Sequence, residues 1–268
     1  MSAFDVSRFH GLLKTRAFGR NFIFEPSVGS TMDVARDAAQ HGAAEGTVAA
    51  ADEQTAGRGR LGRTWITPPT VNLATTLVLR PPHSVLRDIA MIAPLAVLHA
   101  VEDVCGLRAD IKWPNDVVVR GQGTEDRGQT VRKLAGILIE TDLTDERRPL
   151  VLVGAGINVN FDAREHEEIR DIATSLRTEL GREVEREALL AAYLSRFEEL
   201  YAAAKMGESP LERWKQRLMT LGQQVHASWP GGETDGMAED VDEDGALLVR
   251  TTDGALVRVE AGDVTLRA

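Results

Sequence analysis

Apolar positions along the chain switch between helical and strand spacing. After a Gly29-Ser30-Thr31 turn, Ser30 or Thr31 can cap a helix running to Ala39; Asp33 suits its positive end, and Gly42 can close it in the left-handed conformation. Residues 47–51 are a short apolar run, and residues 71–79 place Val71, Leu73, Leu77 and Leu79 on one face at period two, so both read as strands. Residues 88–104 predict a largely buried helix, kinked or started late by Pro94, and residues 117–119, 134–141 and 150–159 predict further strands. Helical spacing returns at 187–204 and 210–220. From Gly222 the pattern changes to short strands punctuated by Pro230-Gly231-Gly232, Asp244-Gly245 and Asp253-Gly254, predicting a small all-β unit packed on the rest. Residues 121–132 are polar with three glycines, too poor in apolar area to offset their ordering entropy, and a mobile hairpin tip is expected there.

Composition narrows this picture. A chain of 268 residues with 43% hydrophobic content can bury a sizeable core, enough for one large domain or a large domain with a small one. The 41 acidic residues against 31 basic ones give a net charge of −10, which argues against sequence-independent attachment to nucleic acid, so any nucleotide site must be local. Cys105 is the single cysteine and the first twenty residues lack the apolar run of a secretory signal, so a reducing cytoplasm is expected. The longest apolar run, residues 89–101, contains Pro94 and His99 and falls short of the roughly 20 residues a membrane span needs.

Four motifs carry chemistry. In residues 54–65 (QTAGRGRLGRTW), Gly57, Gly59 and Gly62 let backbone N–H groups approach a ligand, and Arg58, Arg60 and Arg63 supply fixed positive charge that suits a phosphate ester; alone, such a loop is simply solvated. Lys112-Trp113-Pro114-Asn115-Asp116 sets a cation, a stiff turn, an amide and a carboxylate after a short strand. Lys133 opens an apolar strand with Gly136 three residues on, where a ligand could lie against backbone; the plainer reading is a strand-end lysine reaching for water. In residues 154–160 (GAGINVN) the glycines permit close approach, and Asn158 offers donors and an acceptor alike to a base or ribose. No GxGxxG spacing opens a helix there.

Taken in order, Gly29-Ser30-Thr31, GRGRLGRTW, KWPND, KLAGIL and GINVN resemble the biotin protein ligase family over residues 29–160. Residues around Gly222, Val225, Gly245 and 261–264 are similar to the small domain that closes these ligases. The resemblance implies an α+β fold: a class II aminoacyl-tRNA-synthetase-like catalytic domain with a mixed sheet and helices over residues 1–221, and an SH3-like β-barrel over residues 222–268.

It also implies a cycle in which biotin and MgATP give biotinyl-5′-AMP, followed by transfer to a lysine of a biotin carboxyl carrier protein. Lys133, Arg60 and Lys112 would be catalytic, holding two anions together before they react. Ser30, Thr31, Met32, Gln54, Gly57, Arg58, Gly59, Arg60, Lys133, Gly136 and Leu138 would bind biotin. Arg58, Arg60, Arg63, Trp65, Asn115, Asp116 and Asn158 would bind the adenylate, with Asp116 a candidate Mg²⁺ contact through the nucleotide. Two departures stand out: Met32 occupies a position often asparagine in the family, leaving only backbone to meet biotin there, and residues 121–132 separate KWPND from KLAGIL widely. With 28 residues before Gly29 and no pair of capped helices among them, no operator-binding role is expected. The resemblance leaves a homodimer open. The related lipoate ligases and octanoyl transferases are the alternative enzymes, disfavoured by the arginine loop and the β-rich end. A non-catalytic biotin-binding regulator is disfavoured by Lys112 and Lys133. Cys105, in a helical stretch with no histidine beside it, reads as buried and inert rather than as a thioester former.

Overall fold

The computed structural model describes residues 2–121, 131–145 and 149–266. Two sheets organise it. A seven-stranded mixed sheet runs in the order β1 (Phe22–Val28), β2 (Val48–Gln54), β3 (Leu73–Leu79), β7 (Leu150–Ile157), β6 (Val131–Asp142), β5 (Asp116–Arg120) and β4 (Asp110–Lys112). Among the described strands of this sheet, β1 and β2 pair in parallel and the other neighbours antiparallel. The second sheet has the order β11 (Leu256–Val259), β10 (Leu247–Arg250), β9 (Gly232–Val241), β8 (Gln224–Trp229) and β12 (Asp263–Leu266), all antiparallel. The fold is thus α+β with a β-sheet at the C-terminal end.

Helices α3 (Ile89–Cys105) and α5 (Arg186–Lys205) cover one face of the large sheet, with α1 (Val6–Leu12) against α5 and the short α4 (Leu176–Leu180) preceding α5 in the chain. The shorter α2 (Thr31–Gln40) covers only part of the other face, over β2, β3 and β7. Strand β3 is therefore buried at every residue: Leu73, Leu77 and Leu79 enter the main core, while Val78 joins Met32, Ala35, Ala39, Ala49 and Leu152 beneath α2. The strand starts two residues later than its pattern predicts, and Val71 packs instead beside Phe161.

Local chemistry explains most boundaries. Ser30 caps α2 by accepting from the Met32 N–H, Asp33 lies in its first turn, and Gly42 follows at φ +86°. Helix α3 runs through Pro94 and ends at Gly106, φ +65°. The helix expected over 210–220 is only α6 (Leu211–Lys215), because the next residues leave helical geometry to pair with β4. Ile111 donates to the Arg217 carbonyl at 2.8 Å and accepts from Met219 at 2.9 Å, covering that sheet edge. Helix α1 and strand β1 were not expected; β1 is an edge strand carrying Pro26, which such a position tolerates. The expected mobile tip falls largely on residues 122–130, outside the described residues. No helix among the described residues is long and apolar enough to cross a membrane.

Candidate active site

On the α2 side of the large sheet, strands β6 and β7 run past the end of the helix and expose backbone. Gly136 pairs with Gly156 and Leu138 with Gly154, so three of these four floor positions lack a side chain. A Cβ on Gly154 would lie 2.8 Å from Met32 Sδ, and one on Gly156 would lie 2.4 Å from the Trp65 indole. Above this floor is a cavity of about 880 Å³, walled by the start of α2, the arginine loop, the β4–β5 turn and β12 of the second sheet.

The cavity gathers residues that the sequence scatters. Ser30, Thr31, Met32, Gln54, Arg58, Gly59, Arg60, Arg63, Trp65, Lys112, Asn115, Asp116, Lys133, Gly136, Leu138 and Asn158 all line it. Gly57 does not. It is buried, and a Cβ there would meet the Trp65 carbonyl oxygen at 2.3 Å, so this glycine serves the approach of two loop backbones, joined by a Trp65 N–H bond to the Gly57 carbonyl at 2.9 Å. Met32 contributes more than backbone: its side chain, 3% exposed, packs over Gly154.

One end of the cavity is a neutral polar network. Thr31 Oγ1 donates to Gln54 Oε1 at 3.1 Å and lies 2.9 Å from Thr76 Oγ1, and Gln54 Oε1 also accepts from the Thr31 N–H at 2.9 Å. Gln54 Nε2 in turn donates to Thr67 Oγ1 at 3.3 Å. Thr76 was missed because an alternating strand gives no local sign of which threonine faces a site.

The charged end is held by carboxylates. Lys133 Nζ pairs with Asp116 Oδ1 at 2.7 Å and lies 5.4 Å from the Trp65 ring centroid. Arg60 donates to Asn115 Oδ1 at 3.0 Å and to the Gly262 carbonyl at 3.2 Å, and Arg63 pairs with Asp263. Arg58 grips both oxygens of Asp33 at 2.9 and 2.7 Å, which raises its pKa. Burial pulls the pKa of Arg60 and of Lys112 below the ordinary values, partly countered by Asp116 and Asp263. The turn bearing Lys112, Asn115 and Asp116 is fixed by Trp113, whose backbone N–H bonds Thr220 Oγ1 and whose indole N–H bonds the Gly245 carbonyl, each at 2.9 Å. The Trp113–Pro114 peptide is cis. Asp263, Val264, Thr265, Leu266 and Gln223 also reach the cavity, contributions that lie too far along the chain to be read beside the motifs.

A glycine-floored slot with neutral hydrogen-bonding groups at one end and cations at the other suits a small apolar acid and a phosphate ester meeting at their anionic ends. Cys105 plays no part: it is half-buried at the end of α3, and burial pushes its thiol pKa up. The described residues hold no group of three or more side chains able to ligate a metal.

Comparison with known proteins agrees. Residues 24–158 match the biotin/lipoate A/B protein ligase family, and residues 220–267 match the biotin protein ligase C terminal domain. The bifunctional ligase/repressor BirA of Bacillus subtilis is 32% identical over 259 residues, covering 95% of this chain and 76% of that protein. The biotin–[acetyl-CoA-carboxylase] ligase of Paracoccus denitrificans is 35% identical over 215 residues, covering 77% and 85%. Among solved structures, biotin protein ligase from Aquifex aeolicus in complex with biotin and ATP superposes with a TM-score of 0.76 at 30% identity, covering 92% of this chain and 99% of that one.

Proposed function

The chain belongs to the biotin/lipoate A/B protein ligase family, and from that premise we infer that it is a biotin protein ligase. It activates biotin with ATP to biotinyl-5′-AMP and transfers the biotinyl group to a lysine of a biotin carboxyl carrier protein. The observation that carries the reading for this chain is the single cavity in which the glycine floor, the Thr31–Gln54 network and the cations Lys112, Lys133 and Arg60 meet. A carboxyl-terminal match specific to biotin ligases favours biotin over lipoate.

In the proposed cycle the ureido end of biotin meets Ser30, Thr31 and Gln54, its body lies over Gly136 and Gly154 beside Met32 and Leu138, and its carboxylate reaches Lys133. A carboxylate oxygen attacks the α-phosphorus of ATP, a P–O bond breaks, and pyrophosphate leaves. Lys133, Lys112 and Arg60 offset the repulsion between the two anions. Trp65, Arg63, Asn115 and Asn158 hold the adenylate, and the loop from Gly57 to Arg63 shields the mixed anhydride from water. The acceptor amine then attacks the carbonyl carbon, AMP departs, and the amine loses its proton. Asp116, one carboxylate already paired with Lys133, fits a Mg²⁺ ion bound chiefly through phosphates, where the ion would supply further charge neutralisation.

The proposed architecture is a class II synthetase-like catalytic domain over residues 1–221 with an SH3-like barrel over residues 222–268. The clean change from mixed to antiparallel sheet after α6 supports it. Incubation with MgATP, biotin and a biotin carboxyl carrier domain, alongside lipoate and its carrier, tests the activity by intact acceptor mass. A biotin-sized gain in the first reaction alone is expected; modification with lipoate alone overturns the reading.

A further inference from the structure

A buried polar chain outside every motif ends on Asn158. Arg186, first residue of α5, and Asp52 on β2 form an ion pair of 2.6 Å with each side chain 5% exposed. The same guanidinium nitrogen, Nη1, donates to the Asn72 carbonyl at 3.2 Å, and Nη2 donates to the Ser2 carbonyl at 3.1 Å. The second oxygen of Asp52 accepts from the Phe4 N–H at 3.2 Å. Asn72 is fully buried just before β3. Its Oδ1 accepts from the Val159 N–H at 3.0 Å, and its Nδ2 donates to Asn158 Oδ1 at 3.3 Å.

The order of these bonds fixes a polarity. A backbone N–H can only donate, so Asn72 must turn Oδ1 toward Val159 and Nδ2 toward Asn158. Asn158 then commits its carbonyl to Asn72. Its Nδ2 makes no hydrogen bond among the described residues and is the polar atom left for the cavity that Asn158 lines. With its oxygen held toward Asn72, Asn158 has its amide N–H groups rather than its carbonyl to offer the cavity.

We propose that Asn72, anchored by the Arg186–Asp52 pair, is a positioning residue that makes Asn158 a hydrogen-bond donor to a ring nitrogen of the adenine base. The inference rests on the nucleotide reading of the cavity given above. Ring nitrogens of adenine are acceptors only, so a fixed donor discriminates there. A ribose hydroxyl accepts either polarity and would need no such relay.

Asn72→Asp is the near-isosteric test. Its carboxylate still accepts from Val159 but cannot donate, so Asn158 turns its Nδ2 toward that carboxylate and its carbonyl toward the cavity. ATP and its 1-deaza, 3-deaza and 7-deaza analogues, each lacking one ring nitrogen, are titrated calorimetrically onto the full chain and onto N72D. Biotin-dependent ATP–pyrophosphate exchange is run with the same four nucleotides. In the wild type one analogue should bind about tenfold more weakly than ATP, the loss of one good hydrogen bond. In N72D that difference should vanish, ATP itself should weaken by a similar factor, and biotin affinity should hold. Should N72D melt well below the wild type, N72A removes the side-chain donor without adding charge and must abolish the same discrimination. Equal binding of all three analogues to the wild type overturns the proposal, as does discrimination that survives in a folded Asn72 variant. Missing exchange with the deaza pattern intact removes the ligase reading and leaves the relay standing; exchange without the pattern does the reverse.

Discussion

On β3 and β7, Leu73, Leu77, Val151, Val153 and Ile157 enter the layer made by α3 and α5, whereas Thr76, Gly154 and Gly156 on the opposite face meet Thr31, Met32 and Trp65. The same strands thus present branched side chains to one side and, beyond Val78 and Leu152 beneath α2, mostly small residues and glycine to the other. On the first face burial is complete and, apart from Thr75, apolar, and its contribution is stability. On the second, α2 covers only part of β7, and beyond it the glycines of β6 and β7, met by Met32 and Trp65, become the floor of the cavity. Removing Cβ atoms there forgoes packing area, which the helical face supplies instead.

If that division holds, damage to the helical face should appear in stability and leave the site alone. Phe197 on α5 is fully buried, with ring centroids 5.9 Å from both Phe18 and Tyr193. Phe197→Ala should cost about 3–5 kcal/mol and lower Tm by roughly 10 °C. Biotin KM, measured well below the transition, should stay at the wild-type value; a tenfold rise would show that the two faces are not separable.

The converse change is Lys133→Ala. The Lys133–Asp116 pair is partly exposed, with side chains 33% and 26% accessible, so its loss should move Tm by only a few degrees. Single-turnover formation of biotinyl-AMP should fall about 10²–10³-fold, as for removal of one preorganised charge from a reacting centre. A wild-type rate would withdraw Lys133 from catalysis.

Between these lies Gly156→Ala, which adds one methyl group to the floor. With the nearest Trp65 atoms 2.4 Å from the new carbon, the indole must move. We expect about 1–3 kcal/mol of strain falling chiefly on the cavity. It should be read as a roughly tenfold rise in biotin KM with a small change in Tm. An unchanged KM would mean that Trp65 and the floor do not bound the biotin slot.

The contrast between faces also explains what the sequence could disclose. Helix α2, with its Ser30 cap and Gly42 stop, and the apolar runs of β6 and β7 are local signals, and they appear where the pattern puts them. The arginine loop and KWPND were legible as chemistry because their unusual residues lie close together in sequence. Helix α6 was overextended because pairing of residues 217–219 with Ile111 is a long-range bond that helical spacing cannot reveal. Asn72, Thr76 and Asp263 were invisible for the same reason: each gains its meaning from a partner far along the chain, on Asn158, Thr31 and Arg63 respectively. Gly57 was read as a ligand contact but lies outside the cavity, where the approach of Trp65 requires it; Met32, read as offering only backbone, lines the cavity with its side chain packed over Gly154.

The smallest expected effect concerns pH and Lys112. Burial lowers its folded-state pKa below the unfolded value, outweighing the opposite pull of Asp116 and Asp263. The unfolded chain therefore binds more protons between the two pKa values, and the cost of burying this ammonium, full below the folded pKa, is relieved as pH rises through it. Stability contributed by the group rises with pH in that window while the cavity loses a positive charge, so on the function face the two quantities should move in opposite directions. Lys112→Arg keeps the charge at all accessible pH, since a guanidinium is protonated throughout. The alkaline limb of kcat/KM for ATP should move to higher pH in K112R, and the gain of stability on the alkaline side should disappear. At neutral pH we expect no more than a two- to threefold change in rate, roughly 0.5 kcal/mol. Paired pH profiles of rate and Tm for the two proteins measure both trends. A limb that stays in place would assign it to another group and leave Lys112 outside the charge set that faces the phosphates.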